Sequence, residues 1–175
     1  NSPEKRAELR KFLEDNDMYL YTVNAFPYGP FKNQIVKEQV YEPDWSSEQR
    51  LKYTMDVATI LADVAPDDVN PSIQTPPLGF KPNVTSKAVI EAYAENIRKL
   101  TTHVNNIYRY KGRTVTLAIE PEPACFLETT KETIDFFNNY LRTEKSYKNL
   151  AGKTGATIEG AREILARHVG IVYDI

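Results

Sequence analysis

The stretch Thr114-Val115-Thr116-Leu117-Ala118-Ile119-Glu120-Pro121-Glu122-Pro123 decides the fold. Its first six residues are mostly β-branched or apolar, which predicts a strand. Side chains alternate across a strand, so Val115, Leu117 and Ile119 share one face. Thr114, Thr116, Ala118 and Glu120 share the other. A wholly apolar face is one that helices cover, whereas small side chains suit a crowded interior. Glu120 is the last group on the small-residue face. Pro121 and Pro123 donate no ladder hydrogen bond and stiffen the exit, so this carboxylate is expected to be held with little freedom.

The same pattern recurs outward from this segment. In His168–Ile175 (HVGIVYDI), Val169, Ile171 and Tyr173 form one face, and Gly170, Val172 and Asp174 the other. Met18–Asn24 (MYLYTVN) and Pro71–Thr75 (PSIQT) read as two earlier strands, and parity places Asn24 and Gln74 on the small-residue side near their ends. Four strands thus finish in Asn24, Gln74, Glu120 and Asp174. Hard oxygen donors converging on one mouth suit Mg²⁺ or Mn²⁺, and a mixed oxygen and nitrogen set also admits Zn²⁺ or Co²⁺.

Helical patterns separate these strands. Ser2 and Pro3 open a helix over residues 3–16 with Ala7, Leu9, Phe12 and Leu13 at helical spacing. Ser46 with Gln49 predicts a capping box for a helix whose apolar face is Leu51, Met55, Ala58 and Ala62. Val89, Tyr93, Ile97, Leu100, Val104 and Ile107 keep an unbroken stripe up to the stop at Gly112. Thr129 and Glu132 cap a helix carrying Ile134, Phe137 and Leu141. Arg142 to Thr157 reads as an exposed excursion, and 158–167 as a short helix. The connection from Ala25 to Trp45, about twenty residues, exceeds ordinary loop length and is expected to be functional.

Strands alternating with amphipathic helices predict a parallel sheet covered by helices. A doubly wound sheet favours a glycine-rich phosphate turn. This chain has seven glycines and neither GxGxxG nor GxxxxGK[ST]. Carboxylates recurring at strand ends point instead to a (β/α)₈ TIM barrel, whose catalytic groups come from that end of several strands. The chain, residues 1–175, then reads as a single partial barrel domain with both ends cut.

Composition narrows the function classes. The 175 residues are 41% hydrophobic and 26% charged with net charge −2, which describes a soluble globular protein. The near-neutral balance gives no reason to expect nucleic acid or an anionic membrane surface as partner. No run of about eighteen apolar residues is present to span a bilayer, and one cysteine, Cys125, fits a reducing, cytoplasmic setting. A small-molecule, carbohydrate-like substrate is the expected partner, with homo-oligomer formation left open.

Other residues have blander readings. A lone acid at a strand end is commonly a helix cap or a solvated loop residue; matched register and small neighbours set Glu120 and Asp174 apart. Glu122 divides evenly between a substrate-side role and solvent, and Glu128 reads as a helix-start dipole partner. His103 and His168 read as structural, and Cys125 lacks a nearby histidine to activate it. Arg50 and Lys81 offer positive charge to an anionic ligand. Phe26-Pro27-Tyr28-Gly29 reads equally well as a lid or as packing.

The segments TVNAFPYG (22–29), VYEPDW (40–45) followed by SSEQRLKYT (46–54), SIQTPPLGF (72–80), LAIEPEPACFLETT (117–130) and HVGIVYDI (168–175) resemble the xylose isomerase-like TIM-barrel superfamily. That group holds sugar-phosphate isomerases and epimerases together with endonuclease IV. VYEPDW and LAIEPEPACFLET resemble one subgroup in particular, the metabolite-traffic proteins of the bacterial ebo gene cluster. The resemblance runs from about Met18 to the end and implies that the strands here are three to six of eight. It implies a metal (Mn, Mg, Zn or Co) held by a Glu at the end of strand five, matched by Glu120, and an Asp at the end of strand six, matched by Asp174. The remaining His and Glu ligands lie on strands this sequence does not contain.

The function so implied is a divalent-metal-dependent sugar or sugar-phosphate isomerase or epimerase. The metal polarises a hydroxy-carbonyl compound, and a carboxylate carries the proton through an enediolate. Glu120 is the expected base and metal ligand, Asp174 a ligand, and Asn24, Gln74 and Glu122 substrate-binding residues. The alternative is a non-catalytic metabolite-binding or traffic protein. Endonuclease-like cleavage is disfavoured, because it needs several more histidines and this chain has two.

Overall fold

The computed structural model describes residues 2–26, 28 and 40–173. Local chemistry sets most element boundaries. Helix α1 (Pro3–Asp15) starts where the Ser2 hydroxyl accepts from the Lys5 amide. Helix α2 (Glu48–Val64) is capped by Ser47, not by the expected Ser46, whose hydroxyl instead donates to the Asp44 carboxylate at 2.6 Å. Helix α3 (Lys87–Lys111) stops at Gly112, φ 67°, in the left-handed region that suits glycine. Thr129 and Glu132 form a full capping box on α4 (Thr130–Phe136), which widens into a π-helical turn over Phe137–Leu141. Arg98, buried on α3, reaches that turn through the Tyr140 carbonyl while its other nitrogens face Glu95.

The stretch from Arg142 to Thr157 is not an exposed excursion. It contains α5 (Glu144–Thr154), capped by Thr143 and ended by Gly155 at φ 71°. Its buried face is Ser146, Tyr147, Leu150 and Thr154. Helix α6 (Ile158–His168) follows, close to its expected span.

Four strands form one parallel sheet: β1 (Thr22–Asn24), β2 (Ser72–Thr75), β3 (Thr116–Ile119) and β4 (Val169–Ile171), in that spatial order. The expected first strand, 18–24, shrinks to 22–24, with Met18, Tyr19 and Tyr21 exposed. The (β/α)₈ barrel expectation is corrected by this topology. The architecture is α/β with a small open sheet; β1 and β4 are its edges and do not pair with each other. Four strands cannot be staggered round to meet, since closure at normal strand tilt takes about eight. Neither edge has another strand beside it among the described residues.

Parity across the sheet follows the sequence. Ile73, Val115, Leu117, Ile119 and Val169 are buried against a helical layer supplying Leu51, Ala58, Leu61, Ile97, Leu100, Val104 and Leu165. Each fully buried side chain of this kind contributes roughly 1.5–3 kcal/mol. Ser72, Gln74, Thr116, Ala118 and Gly170 alternate with them and are half-buried. Ile171 breaks the pattern: it belongs to the buried parity yet is 49% exposed, because β4 is an edge strand at the margin of the helical layer. Among the described residues no helix is long and apolar enough to cross a membrane.

Both histidines are structural. His103 Nε2 lies 3.1 Å from the Thr59 hydroxyl. His168 is buried, its Nδ1 2.8 Å from the Val115 carbonyl and its Nε2 without a hydrogen-bond partner among the described residues. That arrangement is a neutral ring with Nδ1–H as donor. Burial holds the pKa of both rings below the ordinary value. An unfolded imidazole takes up its proton near pH 6.5, whereas the folded ring does so only at lower pH. The stability is therefore whole above about pH 6.5 and falls by about 1.4 kcal/mol per pH unit per ring below it, until the folded ring itself titrates. His168→Gln keeps a donor for Val115 and is expected to remove the His168 part of that loss. Urea unfolding at pH 7.5 and 5.5 checks this; an identical acid loss in both proteins counts against it.

Candidate functional site

The carboxyl ends of the strands bring Asn24, Gln74, Glu120 and Glu122 into one region. Registers Asn24↔Gln74 and Gln74↔Ala118 align β1, β2 and β3. Glu120 sits one residue past β3, with its backbone N–H on the Thr75 carbonyl at 3.1 Å. That bond continues the ladder and places the Glu120 side chain on the face of Thr116 and Ala118. There the Gln74 amide donates to Glu120 Oε2. Two residues 46 positions apart thus meet as an amide–carboxylate pair, both half-buried.

Glu122 lies beside this pair. Its backbone N–H is held by the Leu127 carbonyl, and its Oε2 accepts from the Tyr41 hydroxyl at 3.2 Å. Burial pushes the Glu122 pKa up; the Tyr41 hydrogen bond opposes this, and the neighbouring Glu120 charge adds to it. Tyr41 in turn stacks on Phe80 at 6.1 Å and meets Phe26 edge-on at 5.5 Å. Its hydroxyl also reaches the fully buried Cys125, and burial lifts that thiol to about 11. Cys125 is therefore a thiol at neutral pH, in line with its non-nucleophilic reading.

The other expected residues divide. Asn24 has the right register and end, but its side-chain oxygen accepts from the Phe26 N–H at 3.1 Å, which ties it to a local turn. Asp174 lies outside the described residues, as do Pro27 and Gly29 of the expected lid. Phe26 and Tyr28 both pack, on Tyr41 and Tyr53. Lys81 is no free cation for an anionic ligand: it bridges Glu128 at 2.6 Å and Glu132 at 2.9 Å, and chiefly for that reason Glu132 falls to about 2. Arg50 is fully buried and faces carbonyl oxygens.

No family model, no curated protein and no solved structure matches this chain.

Among the described residues no three His, Cys, Asp or Glu side chains come together as a metal-holding group. Glu120 offers one carboxylate, with an oxygen already engaged by Gln74. The Glu122 carboxyl holds its proton to higher pH than an ordinary carboxyl, which weakens it as a ligand. Without Asp174, which lies outside the described residues, Glu120 and Glu122 do not make up a divalent-ion site. Sequence reasoning missed Tyr41. It lies 81 positions from Glu122 in a stretch without periodicity, and its one local signal is membership of the aromatic-rich VYEPDW segment.

Proposed function

We propose that the carboxyl-terminal rim of the sheet binds a small hydroxylated carbonyl compound and that Glu120 moves a proton on it, as an isomerase or epimerase does. The observation that carries this reading is the Gln74–Glu120 pair on the uncovered parity of the sheet. Ligands of open α/β sheets bind outside the carboxyl ends of the strands. Gln74 orients one carboxylate oxygen and leaves the other for the substrate. The Glu120 carboxylate takes the proton from the carbon between carbonyl and hydroxyl, and that C–H electron pair becomes the enediol double bond. Glu122, kept protonated to higher pH than an ordinary carboxyl, gives its proton to the carbonyl oxygen. Reversal of both transfers on the neighbouring carbon returns the isomer.

A second reading, binding or traffic without chemistry, draws on the same pair, because an amide-satisfied carboxylate recognises hydroxyl groups without being a base. Incubation with dihydroxyacetone, glyceraldehyde and erythrulose in D₂O, with and without Mn²⁺ or Mg²⁺, separates the two. Deuterium entering the carbon next to the carbonyl supports proton transfer. Calorimetric binding without deuterium uptake supports the handler. Absence of both binding and exchange sinks the site.

A further inference from the structure

Arg50 is a buried cation, 0% exposed, whose hydrogen bonds among the described residues go to backbone carbonyls, with the Asp44 and Glu42 charges acting on it only at longer range. Its Nε donates to the Pro43 carbonyl at 2.8 Å, and its two terminal nitrogens to Ala25 at 2.9 Å and Phe26 at 3.2 Å. The rings of Tyr28 and Tyr53 lie 6.0 and 5.7 Å from the guanidinium carbon. One planar group therefore ties two stretches of chain that leave the sheet region and return to it, residues 25–26 and residue 43. Burial of a cation is costly unless its donors are met; here backbone carbonyls meet them.

Both stretches bear on Tyr41. Phe26 supplies the ring that Tyr41 meets edge-on, and Pro43 lies two residues from Tyr41 along the backbone. Tyr41 in turn places its hydroxyl on Glu122, and the Phe80 ring on which it stacks belongs to the residue bridged to Cys125 through the backbone. We propose that Arg50 is the positioning residue of this rim: by clamping the carbonyls of Phe26 and Pro43 it seats Tyr41, and Tyr41 closes one side of the site over Glu122 and Cys125. The proposal rests on reading the rim as a ligand site, but its test uses no ligand, so the two fail separately.

Lysine keeps the charge of Arg50 but loses the planar fork that reaches three carbonyls. Cys125 is the sole cysteine of the chain, so a thiol reagent reads the seat of Tyr41 without ambiguity. In native buffer, Arg50→Lys and Tyr41→Ala are each expected to speed Cys125 labelling by DTNB about tenfold. The faster rate is expected to stay flat at low urea, which marks local opening and not global unfolding. In a Tyr41→Ala background, Arg50→Lys is expected to add nothing. Three results overturn the proposal: unchanged labelling in folded Arg50→Lys, acceleration that rises with urea from the start, or an equal acceleration in the Tyr41→Ala background. Arg50→Gln serves as a second variant; if neither folds, Arg50 is a determinant of the whole fold and the positioning role falls.

Discussion

Truncating Trp45 to alanine is expected to lower the free energy of unfolding by about 3–5 kcal/mol, the largest stability effect of any single change proposed for this chain. Trp45 has no exposed surface. Its indole N–H donates to the Thr75 hydroxyl at 2.8 Å, its backbone N–H to the Leu78 carbonyl at 2.9 Å, and its carbonyl accepts from Asn96 at 2.8 Å. Alanine keeps the two backbone bonds, removes the indole and leaves a cavity at the end of β2. The Thr75 hydroxyl loses its donor, which adds about 1 kcal/mol. Thr75 follows Gln74 directly, so the loss falls on the strand end that carries the site. Urea unfolding followed by circular dichroism measures the change; a cost below about 1.5 kcal/mol means that the cavity collapses and Trp45 is not the anchor it looks to be.

Glu120→Gln is expected to have the largest effect on chemistry with little on folding. The side chain is half-buried and its hydrogen-bond donor is the Gln74 amide, to which a glutamine oxygen presents a similar acceptor. An amide cannot take a proton from carbon. Loss of a positioned general base lowers rates by about 10²–10⁴, so deuterium exchange into a responsive hydroxy-ketone should fall by that factor while the unfolding curve keeps its midpoint within about 1 kcal/mol of the original. Full exchange activity in the variant removes Glu120 from the mechanism.

Much of the sheet was legible in the sequence, and the reason is parity. Val115, Leu117 and Ile119 alternate with Thr116 and Ala118 strictly enough to assign both faces of β3, and the stripe from Val89 to Ile107 marks α3 without help from tertiary context. Closure of the sheet was not legible. Alternating strands and helices require a parallel sheet under a helical layer, but whether its edges meet depends on how many strands there are and how they stagger, which no local pattern encodes. Helix α5 was missed because its polar composition outweighed the caps at Thr143 and Gly155, which do mark its ends. Ser47 displaced Ser46 as cap because Asp44 takes the Ser46 hydroxyl, a competition decided by loop geometry.

The candidate site divides the same way. Gln74 and Glu120 were placed together by register arithmetic alone. The Asn24 oxygen went to a local turn instead, as short polar side chains at strand ends often do. Tyr41 and Arg50 act through contacts across irregular chain, where spacing carries no information about who meets whom.

A small hydroxylated carbonyl compound is proposed to bind at the rim around Gln74 and Glu120. Titrating dihydroxyacetone into ¹⁵N,¹³C-labelled protein and following side-chain amide and carboxyl resonances tests it most directly. Binding at the rim is expected to move the Gln74 amide and the Glu120 and Glu122 carboxyls together and saturably, and Glu120→Gln to abolish the response. Saturable shifts that leave those three signals still and gather on α4 and β4 instead, around Ile134 and Ile171, would contradict it.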